Sequence, residues 1–328
     1  MAMIFARAPL RISLGGGGTD LPSYYRERGG FLIAGAIDKY VYLLVHDVFQ
    51  KRYRLKYSQM EEVDTIDEIQ HPIIREALRE HWDGAPLEIA SVADIPAGTG
   101  LGSSGAFTVC LLKALATASG RSTTPGWLAE QACHIEIDLL GEPIGKQDQY
   151  ASAHGGICTY EFHPDDSVTV TPLTISDQTM RSLSSQMLLF YTGETRSASI
   201  ILADQNSRTN QADSAMLANL NRTKALGIRA RDLLLTGDLE AFAEDMHEHW
   251  ENKRERSPGM SNPYIDSLYA TARSNGAIGG KIVGAGGGGF LLVYSTDPDR
   301  TISAMNTCDA QHVPFAFEFQ GCMSSTTS

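Results

Sequence analysis

The densest chemistry in this 328-residue chain lies in the segment Pro96-Ala-Gly-Thr-Gly-Leu-Gly-Ser-Ser-Gly-Ala106. It stands between an alternating run, Leu87-Glu-Ile-Ala-Ser-Val-Ala93, and an apolar run over 103–118. Its four glycines let backbone approach a ligand closely. The unpaired amides that open a helix, with the helix dipole behind them, form an anion site. Gly98, Gly100, Leu101, Gly102, Ser103, Ser104 and Gly105 are therefore the candidate cradle, and the serines can add hydroxyl ligands. A tight turn alone would need one or two glycines, not four. Two further glycine runs, Gly15–Gly18 and Gly284-Ala-Gly-Gly-Gly-Gly-Phe290, adjoin strand-like sequence where glycine otherwise weakens a sheet. They point to backbone folded over a shared ligand.

Gly100, Gly102 and Gly105 spell G-x-G-x-x-G, so a dinucleotide site has to be weighed. That fold feeds its strand directly into the glycines and places an acid about 20 residues further on. Here Pro96 intervenes, and Ser119-Gly-Arg-Ser-Thr-Thr-Pro125 supplies no acid. No G-x-x-x-x-G-K-[ST] occurs anywhere, and the protein-kinase signatures are missing. A nucleotide site in this chain belongs to another class. His46, His71, His134 and His154 lack metal-ligand spacing, and His247 and His249, two apart on a helix, face different ways.

The elements that would position these segments are mixed. Strand patterns cover 4–14, 31–46 as one or two strands, 52–57 and 87–93; helical patterns cover 72–81 and 103–118. Thr124-Pro125 is a helix start, with a capping hydroxyl ahead of proline. The sequence turns strand-like after 155, closes a first unit near Val168–Pro172, and reads as polar loop to about 187. A strand at 187–192, helices near 197–236, 239–255 and 263–275, and strands at 277–283, 289–295 and 314–319 complete it. Without regular βαβ alternation, the pattern predicts an α+β fold, divided into units 1–180 and 181–328.

Composition narrows the function. A net charge of −12 argues against a nucleic-acid partner, which calls for a basic face. No apolar run approaches the length of a membrane span, and Arg7 interrupts any secretory apolar core. Five widely spaced cysteines without a C-x-x-C pair read as reduced thiols of a cytoplasmic protein. Oligomeric state is left open by the sequence. An acidic chain that binds phosphate must do so with amides, a metal and a few placed cations.

The three glycine segments, in this order and spanning residues 7 to 290, resemble the three motifs of the GHMP superfamily of small-molecule kinases. Gly15-Gly-Gly-Gly-Thr-Asp-Leu-Pro22, Gly145-Lys-Gln-Asp-Gln-Tyr150 and Gly280-Lys-Ile-Val-Gly-Ala-Gly-Gly-Gly-Gly289 are most similar to bacterial D-glycero-D-manno-heptose 7-phosphate kinases. The resemblance implies a first domain like ribosomal protein S5 domain 2, a ferredoxin-like second domain, and an active site between them using ATP and Mg2+. Phosphoryl transfer is mostly positioning and charge neutralisation, so few further parts are needed. By the resemblance, Ser104 and Glu136 share the metal, and Asp148, in a loop beginning at Gly145, is the general base or orients the hydroxyl. Arg11 stabilises charge on the transferred group. Some superfamily members lack the aspartate, so a mechanism without a discrete base stays open.

Thr19 and Asp20 resemble the positions where sugar kinases hold substrate hydroxyls. A sugar that already carries a phosphate requires a cation away from the triphosphate; Lys253, Arg196 and Lys281 are the candidates. Lys253 shares a helical face with Phe242, Met246 and Trp250, where snorkelling is the ordinary explanation. The leading expectation is transfer to the anomeric hydroxyl of a heptose 7-phosphate. Its rivals are a 1-kinase for a fucose- or galactose-like sugar and a catalytically silent sensor on the same fold.

Overall fold

The structure, a computed structural model, describes residues 2–193 and 198–327. The chain builds two sheets. The larger has eight strands: β1 (Ile4–Gly15), β2 (Gly30–Asp47), β3 (Tyr53–Lys56), β4 (Met60–Val63), β5 (Leu87–Ala93), β6 (Ile157–Phe162), β7 (Val168–Pro172) and β12 (Met323–Thr326). Its order is β12-β1-β2-β5-β3-β4, with β6 and β7 attached to the first half of β2. All pairs are antiparallel except β3 with β5. The residues 31–46 thus form one long strand, which can serve three neighbours because its two halves pair with β6 and β5 in turn.

Helices α1 (Pro22–Arg28), α2 (Pro72–His81), α3 (Ser103–Ala118), α4 (Pro125–Cys133) and α5 (Gln147–His154) belong to this half. Thr124 caps α4 by accepting from the Trp127 amide. A π-helical turn, His134–Leu139, follows directly. α3 is buried on nearly every side, packed on β1, β2, α4 and α5. Along β1, Ile4, Ala6, Leu10, Ile12 and Leu14 are core residues. From Ala8 onward both faces of the strand are covered. Arg11 and Ser13 are therefore buried although their types belong on a surface.

The smaller sheet has the order β11-β8-β10-β9 and is antiparallel throughout. Its strands are β8 (Met187–Tyr191), β9 (Ala277–Ile282), β10 (Phe290–Ser295) and β11 (Gln311–His312). On it pack α6 (Asp177–Gln186), α9 (Leu239–Arg254), α10 (Pro263–Ser274) and α11 (Pro298–Asn306), whereas α7 (Ala198–Asn210) packs on α1, and α8 (Ser214–Thr236) lies between α9 and strands β1 and β2 of the larger sheet. The fold is α+β, as the mixed pattern implies.

Several expectations need correction. The polar stretch before 187 contains α6, started by the Ser176 hydroxyl accepting from Thr179 N. The helical span 197–236 is two helices: Ala212 at φ 54° breaks it and Asp213 caps α8. The strand expected at 314–319 reduces to a single bridge, Ile37 to Phe317. The division at residue 180 falls inside α6, and the chain end returns to the first half, where β12 pairs with β1.

Candidate active site

A cavity of about 940 Å³ opens between the two sheets' elements, and all three glycine segments border it. The second segment leads into α3. Its last residue before the helix, Gly102, sits at φ 81° and carries no side chain to cap the first-turn amides. A Cβ there would also stand 3.1 Å from Asp148 Cγ. Ser103 Oγ is buried without a partner and borders the cavity. Uncapped amides and an orphaned hydroxyl fit an anionic ligand, since buried polar groups are otherwise paired. The third segment packs on this one: a Cβ on Gly284 would lie 2.7 Å from Gly100 Cα. The first run does something different. Gly15 and Gly16 meet Gly227 of α8 backbone to backbone, and only Gly17 and Gly18 of that run border the cavity.

Asp148 lies in the first turn of α5, not in a loop as the sequence led us to expect. Arg11 reaches it from β1 through Nε (2.7 Å) and a terminal nitrogen (2.5 Å) to the same oxygen, Oδ1. The other terminal nitrogen of Arg11 donates to the Gly100 carbonyl at 2.7 Å. Arg11 thus joins the aspartate to the glycine segment, and Asp148 Oδ2 keeps its lone pairs. Gly105 lets α3 approach this closely, because a Cβ there would stand 2.7 Å from that of Asp148.

Glu136 projects from the π-helical turn and is 1% exposed. Such turns recur at functional sites because the extra residue re-aims a side chain. Ser104 Oγ donates to Glu136 Oε1, and Gln149 Nε2 donates to Oε2 at 2.8 Å. Burial pushes the Glu136 carboxyl up to about 7 against those hydrogen bonds. No group of three or more His, Cys, Asp or Glu able to hold a metal occurs among the described residues. One buried carboxylate beside a serine hydroxyl, at the mouth of an anion cradle, still fits Mg2+, which takes one or two protein oxygens and completes its shell with phosphates and water.

Asp20 borders the cavity at 1% exposure. It accepts from the Gly18 amide, the Gln147 amide and Gln147 Nε2, each at 3.1 Å. Burial and the charge of Asp148 push its carboxyl up. Of roughly four acceptor sites on a carboxylate, three are taken, so Asp20 has room for one substrate hydroxyl rather than two. Thr19 does not border the cavity. Its hydroxyl is fully engaged with the Gly16 carbonyl and with the carbonyl and amide of Phe31. Its geometry is that of a latch between the first glycine run and β2, which corrects the substrate-binding expectation.

Lys253 and Lys281 both reach the cavity, and both are buried. Lys253 donates to the Ile282 and Gly284 carbonyls at 2.9 and 2.6 Å, so it braces the third glycine segment rather than snorkelling. Lys281 meets His249 Nδ1 at 3.2 Å. Arg196 lies outside the described residues.

Among the cavity residues that the sequence does not single out for this site are Arg256 and His249, the latter weighed there only as a metal ligand. Arg256 donates to Asn219, Thr223 and the Gly17 carbonyl. The signal was present in Asp245, His249, Asn252 and Arg256, a polar stripe at helical spacing beside the apolar one. All four are buried.

Uncapped amides at a helix start, a buried carboxylate beside a serine hydroxyl and an arginine-held aspartate around one cavity are the parts that phosphoryl transfer calls for. The sequence matches the GHMP kinases N terminal domain over residues 70–156 and the GHMP kinases C terminal domain over 230–310. The chain belongs to the GHMP kinases. It is 28% identical to the D-glycero-alpha-D-manno-heptose 7-phosphate kinase of Campylobacter jejuni, over 99% of both chains. It is 30% identical to a mevalonate kinase of Methanothermobacter thermautotrophicus, covering 71% of this chain and 73% of that one. Among solved structures it is similar to a D-glycero-D-manno-heptose 1-phosphate kinase from Bacteroides thetaiotaomicron (TM-score 0.81, 26% identity, 99% of both chains). No described helix is long and apolar enough to cross a membrane.

Proposed function

We propose that this protein phosphorylates the anomeric hydroxyl of D-glycero-D-manno-heptose 7-phosphate in the cytoplasm, using ATP and Mg2+. The product would be the 1,7-bisphosphate, a precursor for nucleotide-activated heptose. The observation that carries the reading is the Arg11–Asp148 pair, set against the glycine segment that opens α3. Full-length likeness to proteins named as heptose phosphate kinases supports the choice of acceptor.

In this reading the half of the chain built on the larger sheet supplies the nucleotide seat, with residues 98–105 around the phosphates. Ser104 and Glu136 would hold the metal, which would neutralise charge on the phosphates. Asp20 takes a sugar hydroxyl, and Gln147 keeps that carboxylate beside Asp148. The free Oδ2 of Asp148 receives or orients the acceptor's proton. Arg11 remains beside it and meets the charge that gathers on the transferred group.

A coupled ADP-release assay across free sugars and sugar phosphates tests the acceptor. Heptose 7-phosphate should give the highest kcat/KM of the panel. If fucose or galactose gives the highest value, the acceptor is a plain sugar, and if no compound stimulates ADP release, the sensor reading takes its place.

A further inference from the structure

We infer that the cavity face formed by α9 and β9 is a seat for an anionic group that the acceptor carries before phosphorylation, built from Arg256, Lys281 and His249. The inference deepens the kinase reading and rests on it for the identity of the acceptor. Its foundation is a set of buried donors without acidic partners.

His249, Asn252 and Lys253 stand at i, i+3 and i+4 on one face of α9, and Arg256 follows two residues after the helix ends, in the turn beyond its cap. They are 2%, 3%, 6% and 3% exposed, and Lys281 of β9 is 2% exposed. Among the described residues no carboxylate touches Lys253, Lys281 or Arg256. Asp245 acts on Lys281 through space but is engaged by Arg229. Asp20 acts on Arg256 in the same way but is held by amides. Burying cations opposite neutral groups is costly, and the cost is visible: burial holds Lys281 down to about 7 and Arg256 to about 10.

Donor geometry separates the roles. Lys253 spends two of its three hydrogens on carbonyls of the third glycine segment, which packs on the nucleotide segment; it is a positioning residue. Lys281 spends one, on His249 Nδ1. That leaves the ring hydrogen on His249 Nε2, which is buried and has no partner. Arg256 spends three of its five, one of them on Gly17, in the segment that carries Asp20. The remaining donors, supplied by three side chains that line one cavity, suit an anion with several acceptor oxygens such as a phosphate monoester. The φ of 102° at Gly18 belongs to this arrangement, because a Cβ there would lie 2.4 Å from the Arg256 guanidinium.

The test compares kcat/KM for heptose 7-phosphate with that for free heptose, in the wild type and in Lys281→Met and Arg256→Gln. Losing one charge-assisted hydrogen bond should cut the preference for the phosphorylated sugar about ten- to a hundredfold. Arg256→Gln also loosens Gly17, so Lys281→Met, which keeps the stem packed, carries the decision. A second measurement is independent of the sugar: calorimetric titration with inorganic phosphate, with Mg2+ and a non-hydrolysable ATP analogue filling the nucleotide site. Wild type should bind phosphate, and Lys281→Met should bind it at least about tenfold more weakly. If heptose 7-phosphate is not a substrate yet this titration behaves so, the seat stands and only the heptose reading falls. If wild type does not take up phosphate, or Lys281→Met takes it up equally well, the seat is refuted whichever sugar is turned over. An unchanged preference ratio in both variants refutes it as well.

Discussion

The two walls of the cavity solve the problem of buried charge in opposite ways. On the wall built from β1, α3, α5 and the π-helical turn, a cation and a carboxylate, Arg11 and Asp148, form an ion pair, and Glu136 and Asp20 are each held by hydroxyl or amide donors. On the wall built from α9 and β9, Lys253, Lys281 and Arg256 meet only carbonyls, hydroxyls, an amide oxygen and an imidazole. A wall of paired charge is preorganised and needs little rearrangement during the chemical step. A wall of unpaired cations is incomplete until an anion arrives. In the proposed reading the first wall carries the chemistry and the second recognises the acceptor.

The largest effect should come from breaking the paired wall at its centre. Asp148→Asn keeps the shape and removes the basic oxygen, so kcat should fall about a hundredfold or more while ATP binding persists. Stopped-flow nucleotide binding beside steady-state turnover separates the two. Near-normal turnover would move the aspartate out of the chemistry. Next in size, Ser104→Ala and Glu136→Gln should each raise the Mg2+ concentration for half-maximal rate by about tenfold, the scale of one lost charged contact. Unchanged magnesium curves in both variants would refute the metal assignment.

The second wall should respond to pH. Lys281, held down to about 7 by burial, faces His249, Asp245 and Lys253 of α9 and Arg256 just beyond it, and feels Arg11 of β1. Above pH 7 it increasingly enters the complex unprotonated, so KM for the phosphorylated acceptor should rise between pH 7 and 9, by at most about tenfold per unit. Lys281→Met should flatten that rise. The sign for stability is opposite. Between about 7 and the ordinary lysine value, the unfolded chain binds the extra proton, so this group's contribution to stability grows with pH across that window. The smallest expected effect is that of Gly18→Ala, which crowds Arg256. It should raise KM for the sugar phosphate several-fold, and it should cost about 1–3 kcal/mol of stability, the range for a non-glycine residue in strained backbone.

The paired wall was legible in the sequence because its parts sit on consecutive, compositionally odd segments. Four glycines before an apolar run announce an amide cradle, and the resemblance then singles out Arg11, Glu136 and Asp148. The second wall was legible only in part: Lys253 and Lys281 are candidates for a distal phosphate from the sequence, but Arg256 and His249 are not, because a polar residue on or just past an amphipathic helix reads as solvated until packing covers it. Thr19 erred in the other direction: its place beside Asp20 implied a ligand role, but a β-branched hydroxyl between two backbone stretches is fully occupied by them. In the fold, α6 and the split between α7 and α8 were missed because single capping residues, Ser176 and Asp213, set them without changing the overall periodicity.

The most direct test of the account is the position of the new phosphate. Wild-type protein, ATP, Mg2+ and D-glycero-D-manno-heptose 7-phosphate should give, by phosphorus NMR, one new resonance coupled to the anomeric proton, in step with ADP formation and with the 7-phosphate signal retained. A new phosphate on any other carbon, or ADP accompanied only by inorganic phosphate, would contradict the claim that the acceptor's distal phosphate and anomeric hydroxyl are held on opposite walls of one cavity.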